Sequence, residues 1–370
     1  MRVLMVSKAC LVGTYQTKLE ELARFPDIEL MVVVPPSWRE RGRVQPLERA
    51  YTDGYDLIVE PIAFNGSFHL HFYPRLARRL RAAAPDIVHI DEEPYNWATF
   101  HALRLAKRAG ARVVWFTWQN LNRTYPFPFR AIEAYNLRYT DYAIAGTSDA
   151  ANVWREKGYD GPLAVIPQFG VAPDIFAPSS LPRDPAAPFV IGYVGRLVRE
   201  KGVDVLLHAV ARLQAPCRVL VAGAGPEQQP LEALAHRLGL AERVSFAGQI
   251  SSTRMPAFYQ QLDALVAPSR SAPNWTEQFG RILIEAMACS VAVLGSDSGA
   301  IPSVVGDAGL IFPEDGIAAL CAHLDRLIAD RAAAAELGRR GRERVLSHYT
   351  QAQVAAQTAA VYRHMLEGAA

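Results

Sequence analysis

Cysteine is scarce: only Cys10, Cys217, Cys289 and Cys321 occur, and no two share a CxxC or other metal-ligand spacing. That scarcity argues against a disulfide framework and a thiolate metal site, and fits a reducing compartment. No apolar run approaches the roughly 18 residues that a membrane span needs. The opening Met1-Arg2-Val3-Leu4-Met5-Val6 is too short for a signal peptide and reads as a buried first strand. The expected working compartment is therefore the cytoplasm. Charge of one sign is also lacking: a formal net charge of +2 is too small to point to nucleic acid, which takes a clustered basic excess. Low-complexity tracts and repeats shorter than a domain are absent as well.

What is present is ordinary globular composition, half hydrophobic and 21% charged, over 370 residues. That length suits two domains of roughly 150 to 200 residues. Short β-rich runs alternate with amphipathic stretches, the pattern of parallel strands separated by helices. In the first half the predicted strands are 2–6, 29–34, 57–60, 87–90, 112–117 and 142–146, with helical periodicity over 76–83 and 96–109. The stretch 177–188 holds four prolines and no apolar periodicity, so it reads as a linker. Beyond it the alternation restarts with strands over 189–194, 218–222, 244–246, 264–267, 292–295 and 309–312. The predicted fold class is α/β, with domains over 1–178 and 189–346. Two such doubly wound sheets place a ligand site at their carboxyl ends.

Two constellations carry chemistry. In Gly195-Arg196-Leu197-Val198-Arg199-Glu200-Lys201-Gly202 a strand ends in glycine and then in cations. Arg196 offers a planar fork and Lys201 a mobile point charge, a combination suited to a diphosphate, although a solvated basic turn would look the same. In the second, Glu277 precedes a run, Phe279 to Ala288, of helical character, and Glu285 lies two turns inside it. At 1.5 Å per residue the offset spans roughly 12 Å, so the two carboxylates can hold opposite ends of one sugar-diphosphate-ribose unit. The backbone N–H groups of Phe279 and Gly280 would face the phosphates, with Gly280 admitting close approach. The competing reading makes Glu277 a helix-terminal acid and Glu285 an exposed one. Against it, Glu285 stands among Ile282, Leu283, Ile284, Ala286 and Met287, where an acid needs a partner.

Other features admit several readings. Asp91, Glu92 and Glu93 at a strand end could contact donor or acceptor, solvate a loop, or bind a metal. Arg75, Arg78, Arg79 and Arg81 beside Leu70, Phe72, Leu76 and Leu80 make 69–84 an amphipathic basic helix, either a peripheral membrane contact at the inner face or a solvated surface. The aromatics of 123–139 either line an acceptor pocket or pack. Gly223-Ala224-Gly225 lacks the third glycine of a dinucleotide fingerprint and reads as a wall of the ligand cleft.

Together these motifs resemble the retaining GT-B glycosyltransferases of family 4. The residues from Phe189 to Phe312 carry the GRL…KG strand end and the E-x7-E motif, Glu277 to Glu285. Ile166-Pro167-Gln168-Phe169-Gly170-Val171 with Phe176 and Pro178 is similar to the family's IPNGVD…F.P segment, and 298–302 to its GG.PE turn. The resemblance implies two Rossmann-like domains facing across a cleft, with 347–366 packing back on the first. It implies that Arg196 and Lys201 hold the donor diphosphate, Glu277 contacts the transferred sugar and Glu285 the ribose. Gly13 would lie near the phosphates and Gly248, Gln249 and Ile250 near the base. The implied partners are a UDP- or GDP-type sugar and a hydroxyl acceptor, whether glycan, lipid-linked or small molecule, with no nucleic acid. The implied reaction is front-face transfer with retention. No Asp-x-Asp motif occurs, so no metal and no other cofactor is expected.

The chain departs from the family at three places. An acidic run, Asp91-Glu92-Glu93, occupies the region of a donor-contacting His; the first loop has one glycine where two are frequent; Ser290 stands where glycine is common. Two alternatives remain open: a nucleotide-sugar epimerase or hydrolase of GT-B shape, and a non-catalytic nucleotide-sugar binder.

Overall fold

The computed structural model describes residues 1–40, 43–180, 184 and 186–367. It divides into two compact units, Met1–Gly170 joined by the chain from Gln351 onward, and Val171–Thr350. The division falls ahead of the proline-rich 177–188 stretch, of which 181–183 and 185 lie outside the described residues. Residues 171–177 are held by the second unit: Val171 N–H donates to Tyr349 O at 2.8 Å, and Gln260 Nε2 to Ala177 O at 2.9 Å.

Strands of the first unit are β1 (Arg2–Val6), β2 (Glu29–Val34), β3 (Ser37–Glu40), β4 (Arg43–Pro46), β5 (Asp56–Val59), β6 (Ile87–Ile90), β7 (Arg112–Thr117), β8 (Tyr142–Ala145) and β9 (Leu163–Val165). Seven form a parallel sheet in the order β5-β2-β1-β6-β7-β8-β9, while β3 and β4 pair as a separate antiparallel hairpin. Runs such as Leu-Met-Val-Val-Val become inner strands because both faces are covered. Val3, Met5, Val32 and Val34 face α1 (Thr17–Ala23) and α13 (Gln351–Glu367), packing with Leu19, Leu22, Val354 and Tyr362. Leu4, Val6, Val33 and Ile90 point the other way, onto α2 (Leu76–Ala83) and α3 (Trp97–Arg108). Helices α4 (Phe129–Tyr139) and α5 (Ser148–Glu156) complete the unit.

The second unit has β10 (Phe189–Val194), β11 (Cys217–Ala222), β12 (Val244–Gly248), β13 (Ala264–Ala267), β14 (Ala292–Ser296) and β15 (Leu310–Phe312), all parallel, in the order β12-β11-β10-β13-β14-β15. Its helices are α6 (Val203–Val210), α7 (Gln228–Arg237), α8 (Met255–Tyr259), α9 (Arg281–Ala288), α10 (Ile301–Val305), α11 (Ile317–Ala329) and α12 (Arg331–His348). Ile191, Tyr193, Val219 and Val221 pack against Leu206, Leu231 and Leu324 from α6, α7 and α11. Each sheet reverses its direction of winding at one place, between β1 and β6 in the first unit and between β10 and β13 in the second. In open α/β sheets the crevice outside the strand ends at such a switch point is where ligands bind.

The predicted strands are all present, within about two residues at their ends. The hairpin β3–β4 and the three-residue β9 were not anticipated, because a polar hairpin and so short a strand show little periodicity. The helix predicted over 76–83 is α2, Leu76–Ala83, and the longer basic helix read over 69–84 is corrected to these residues. Pro74 disfavours helix before it, and Phe72 is held instead by an antiparallel bridge to Ala63. Among the described residues no helix is long and apolar enough to cross a membrane.

Candidate functional site

The second unit's switch point gathers the charged residues singled out above. Beyond β10, Tyr193 Oη donates to Arg196 O at 2.9 Å, and the following Leu197 is zipped to the glycine-rich turn after β11: its N–H donates to Ala224 O at 3.1 Å. The Gly223-Ala224-Gly225 stretch thus lets two loops touch, because a Cβ on Gly223 would stand 1.8 Å from Gly195 O. The Arg196 residue is exposed, whereas Lys201 is half-buried with its ammonium 4.9 Å from the Trp275 ring centroid. Gly202 follows with φ +64°, and a Cβ there would meet Pro268 O at 1.9 Å. Arg270 braces this turn: its N–H donates to Glu200 O at 2.8 Å, its Nη1 to Arg199 O at 3.2 Å, and Nη1 and Nη2 to both oxygens of Asp204 at 2.8 and 2.7 Å.

From the far side of the switch point, Glu277 Oε2 lies 2.5 Å from Lys201 Nζ and accepts from Ser269 Oγ at 2.9 Å. The 298–302 turn backs it: Ala300 N–H donates to Glu277 O at 3.0 Å. The helix is shorter than expected, starting at Arg281 with Gly280 as N-cap at φ +74°. Phe279 is therefore outside it, buried and edge-on to Tyr349 at 5.8 Å, and the first-turn N–H groups belong to Arg281 and the residues after it. Glu285 is not the exposed acid of the competing reading. It is buried, accepting from Tyr259 Oη at 2.7 Å and paired with Arg281 at 2.8 Å. Burial and this carboxylate hold the Tyr259 phenol far above its ordinary range. Gly248 ends β12, its carbonyl taken by Gly223 N–H at 2.7 Å; Gln249 is exposed and Ile250 half-buried.

Gly13, Asp91, Glu92 and Glu93 lie in the first unit, around its own switch point. Gly13 N–H donates to Glu48 Oε2 at 2.8 Å. Asp91 accepts from Ser7 Oγ at 2.5 Å and Gln168 Nε2 at 2.8 Å; burial raises its carboxyl, against the pull of the buried Lys18 ammonium. Burial would also raise Glu92, but Lys8 and His71, at 3.5 and 3.4 Å, outweigh it and hold it at about 2. Glu93 accepts from Thr117 Oγ1 at 2.7 Å and Trp118 N–H at 2.8 Å, yet burial dominates and lifts it to about 7. The solvated-loop reading of these acids is thereby overturned, and no cluster fit to hold a metal ion occurs among the described residues.

The model of the glycosyl transferases group 1 matches residues 182–344, and the model of glycosyltransferase family 4 matches 19–169. The chain belongs to glycosyltransferase family 4. Its relatives include the lipopolysaccharide core biosynthesis mannosyltransferase LpsB of Rhizobium meliloti, 34% identical over 51% of this chain and 55% of that protein. The D-inositol 3-phosphate glycosyltransferase of Streptomyces bingchenggensis is 31% identical over 62% and 54%. The family 4 chain spans about half the length of the curated relatives it matches. Among solved structures, sucrose-phosphate synthase from Thermosynechococcus elongatus superposes with a TM-score of 0.75 at 20% identity, covering all of both chains. Anabaena HepE in complex with UDP-glucose gives 0.73 at 18%, over 98% of this chain and all of that one. The fold of the family 4 chain is GT-B, with two Rossmann-like units.

Sequence reasoning missed several residues that build these edges: Ser269, Tyr259 and Arg270 in the second unit, and Lys8, His71 and Gln168 in the first. Lys8 and Ser269 had a readable signal, since each stands two residues past a predicted strand, at a sheet's carboxyl end. His71 and Tyr259 lie in helical or loop contexts with none.

Proposed function

We propose that the chain is a retaining hexosyltransferase that moves a sugar from a UDP- or GDP-type nucleotide sugar to a hydroxyl acceptor and works in the cytoplasm. The observation that carries this reading is the Lys201–Glu277 pair at the second unit's switch point, with Arg196 at the end of the adjoining strand. Arg196 and Lys201 would neutralise the diphosphate as its bond to the sugar breaks, and Glu277 would accept hydrogen bonds from the sugar's hydroxyls. Catalysis would then rest on charge stabilisation and positioning, with the leaving phosphate taking the acceptor's proton on the same face. No metal or other cofactor enters this reading.

The names of relatives support the substrate class: GDP-mannose-dependent mannosyltransferases of Mycolicibacterium smegmatis and Mycobacterium tuberculosis among them, and HepE binding UDP and UDP-glucose. The four cysteines are free, in keeping with the compartment. A membrane contact through 69–84 is not part of the reading, because α2 is short and its Arg79 is paired with the buried Glu60.

A thermal-shift screen of nucleoside diphosphates tests the donor, since a ligand that binds only the native state raises the melting temperature. Nucleotide release that requires an added acceptor, with the anomeric configuration kept in the product, is the expected turnover. Release independent of any acceptor would favour a hydrolase, and no stabilisation by any nucleotide would overturn the proposal.

A further inference from the structure

Three consecutive residues past β13, Pro268, Ser269 and Arg270, reach both members of the Lys201–Glu277 pair. The Pro268 carbonyl stands 1.9 Å from where a Cβ on Gly202 would fall, so the backbone just after Lys201 packs directly on this segment. Ser269 Oγ donates to Glu277 Oε2 at 2.9 Å. Arg270 takes the backbone just before Lys201, with its N–H on Glu200 O at 2.8 Å and its Nη1 on Arg199 O at 3.2 Å. We infer that Arg270 is a positioning residue for the donor: it sets the 199–201 turn so that the Lys201 ammonium meets the diphosphate, and it acts through Lys201 rather than on the ligand.

The turn needs such a support. It is a single turn of 3₁₀ helix, closed by Lys201 N–H on Val198 O at 3.0 Å and Gly202 N–H on Arg199 O at 3.2 Å. Hydrogen bonds in so short a helix are poorly aligned, so its orientation is set from outside. The rest of the guanidinium is spoken for: Nη1 and Nη2 donate to the two oxygens of Asp204 at 2.8 and 2.7 Å, and Nε pairs with Asp315. Asp204 lies in the first turn of α6, the helix that follows Lys201. One planar group therefore ties the turn before Lys201 to the helix after it and to the loop past β15, which a point charge could not do at once. Burial would raise the Asp204 carboxyl, but the Arg270 fork outweighs it and holds it below its ordinary range. With two carboxylates upon it, Arg270 has no charge to spare for a diphosphate, and its contribution is geometric.

The next residue fixes the segment in turn. Ser271 N–H and Oγ both donate to Glu314, at 2.8 and 2.5 Å, and Glu314 N–H donates to Asp297 Oδ1 at 2.8 Å. Glu314 and Asp315 are neighbours in the loop past β15, so Lys201 and Glu277 are both registered against one anchored stretch of chain.

The inference rests on the second unit's switch point being the nucleotide-sugar site, and calorimetric titration of the full chain with UDP and GDP separates the two. Lys201→Ala should weaken the bound nucleotide by about 10- to 100-fold, the range of a lost charge-assisted hydrogen bond. Arg270→Ala should weaken it by about tenfold, and Arg270→Lys nearly as much, because lysine keeps the charge and loses the fork. On the Lys201→Ala background Arg270→Lys should add less than about twofold. A purely structural arginine would lower the melting temperature and leave affinity alone, and a long-range charge effect would vanish with Ala and survive with Lys. Arg339→Ala, which removes an exposed arginine paired with Glu336 and Glu343, is the control and should leave affinity unchanged. Should Arg270→Ala not fold, Asp204→Asn loosens the same fork in place and is expected to cost at least about threefold. Wild-type affinity in Arg270→Lys or Asp204→Asn, or a loss that adds in full on the Lys201→Ala background, would overturn this inference alone. A wild-type chain that binds neither UDP nor GDP sinks the parent reading and this one with it.

Discussion

Lys201 and Glu277, 76 positions apart in the chain, meet at 2.5 Å across the switch point of the second sheet. The contact pre-organises both groups, for the ammonium and the carboxylate fix each other in place. In the proposed site each would act through the other as well as on the ligand. Lys201→Ala and Glu277→Ala should each lower kcat/KM by at least about 100-fold. The double variant should lose far less than the product of the two, because either change already breaks the unit. Losses that multiply would show that the residues act independently.

Glu285 is anchored inside its unit by Tyr259 and Arg281. Removing the tyrosine hydroxyl leaves a buried carboxylate one donor short, at a cost of about 1 to 3 kcal/mol. Tyr259→Phe is expected to lower the urea midpoint of the second unit's transition without changing its slope. An unshifted midpoint would mean that water or relaxation replaces the hydroxyl.

Backbone conformation predicts a pair of opposite effects. Ser290, where family members commonly carry glycine, adopts φ +57°. Ser290→Gly should relieve that strain and stabilise the chain by up to about 1 kcal/mol. At Gly202, by contrast, φ is +64° and a Cβ would strike Pro268 O. Gly202→Ala should destabilise by at least about 2 kcal/mol and displace Lys201. Calorimetric melting of both variants checks the signs.

Adjacent acids in the first unit should respond to pH in opposite directions. Burial lifts Glu93 to about 7, so the folded chain binds the extra proton between roughly pH 4.3 and that value. Stability contributed by this group falls as pH rises through the window, and the raised Asp91 adds to the slope. Glu92 is held at about 2 by Lys8 and His71 against its burial, so its contribution is present above roughly pH 4.3 and is lost as pH falls toward 2. Melting temperatures followed across pH should show Glu93→Gln gaining on wild type toward neutral pH. Glu92→Gln should narrow its deficit toward acid. Parallel curves for wild type and both variants would contradict these assignments.

The alternation of short apolar runs with amphipathic stretches was enough to read two doubly wound sheets, because a strand covered on both faces must be apolar throughout and its crossover helix must be striped. The charged residues past β10 and around α9 were legible for the same local reason, as they break apolar runs at strand and helix ends. Only the tertiary structure decided what those charges do. It paired Lys201 with Glu277, turned Glu285 inward to Tyr259, and set Lys8, His71 and Glu92 together from three separated segments. It also decided between the two readings of the stretch before α3 in favour of the helix over 76–83, where Pro74 and a bridge at Phe72 prevail over the basic stripe. Periodicity reports which face of an element is buried. The compensation of a buried charge depends on which distant loop arrives beside it, and in a parallel sheet that is set by strand order, which no stretch of neighbouring residues encodes.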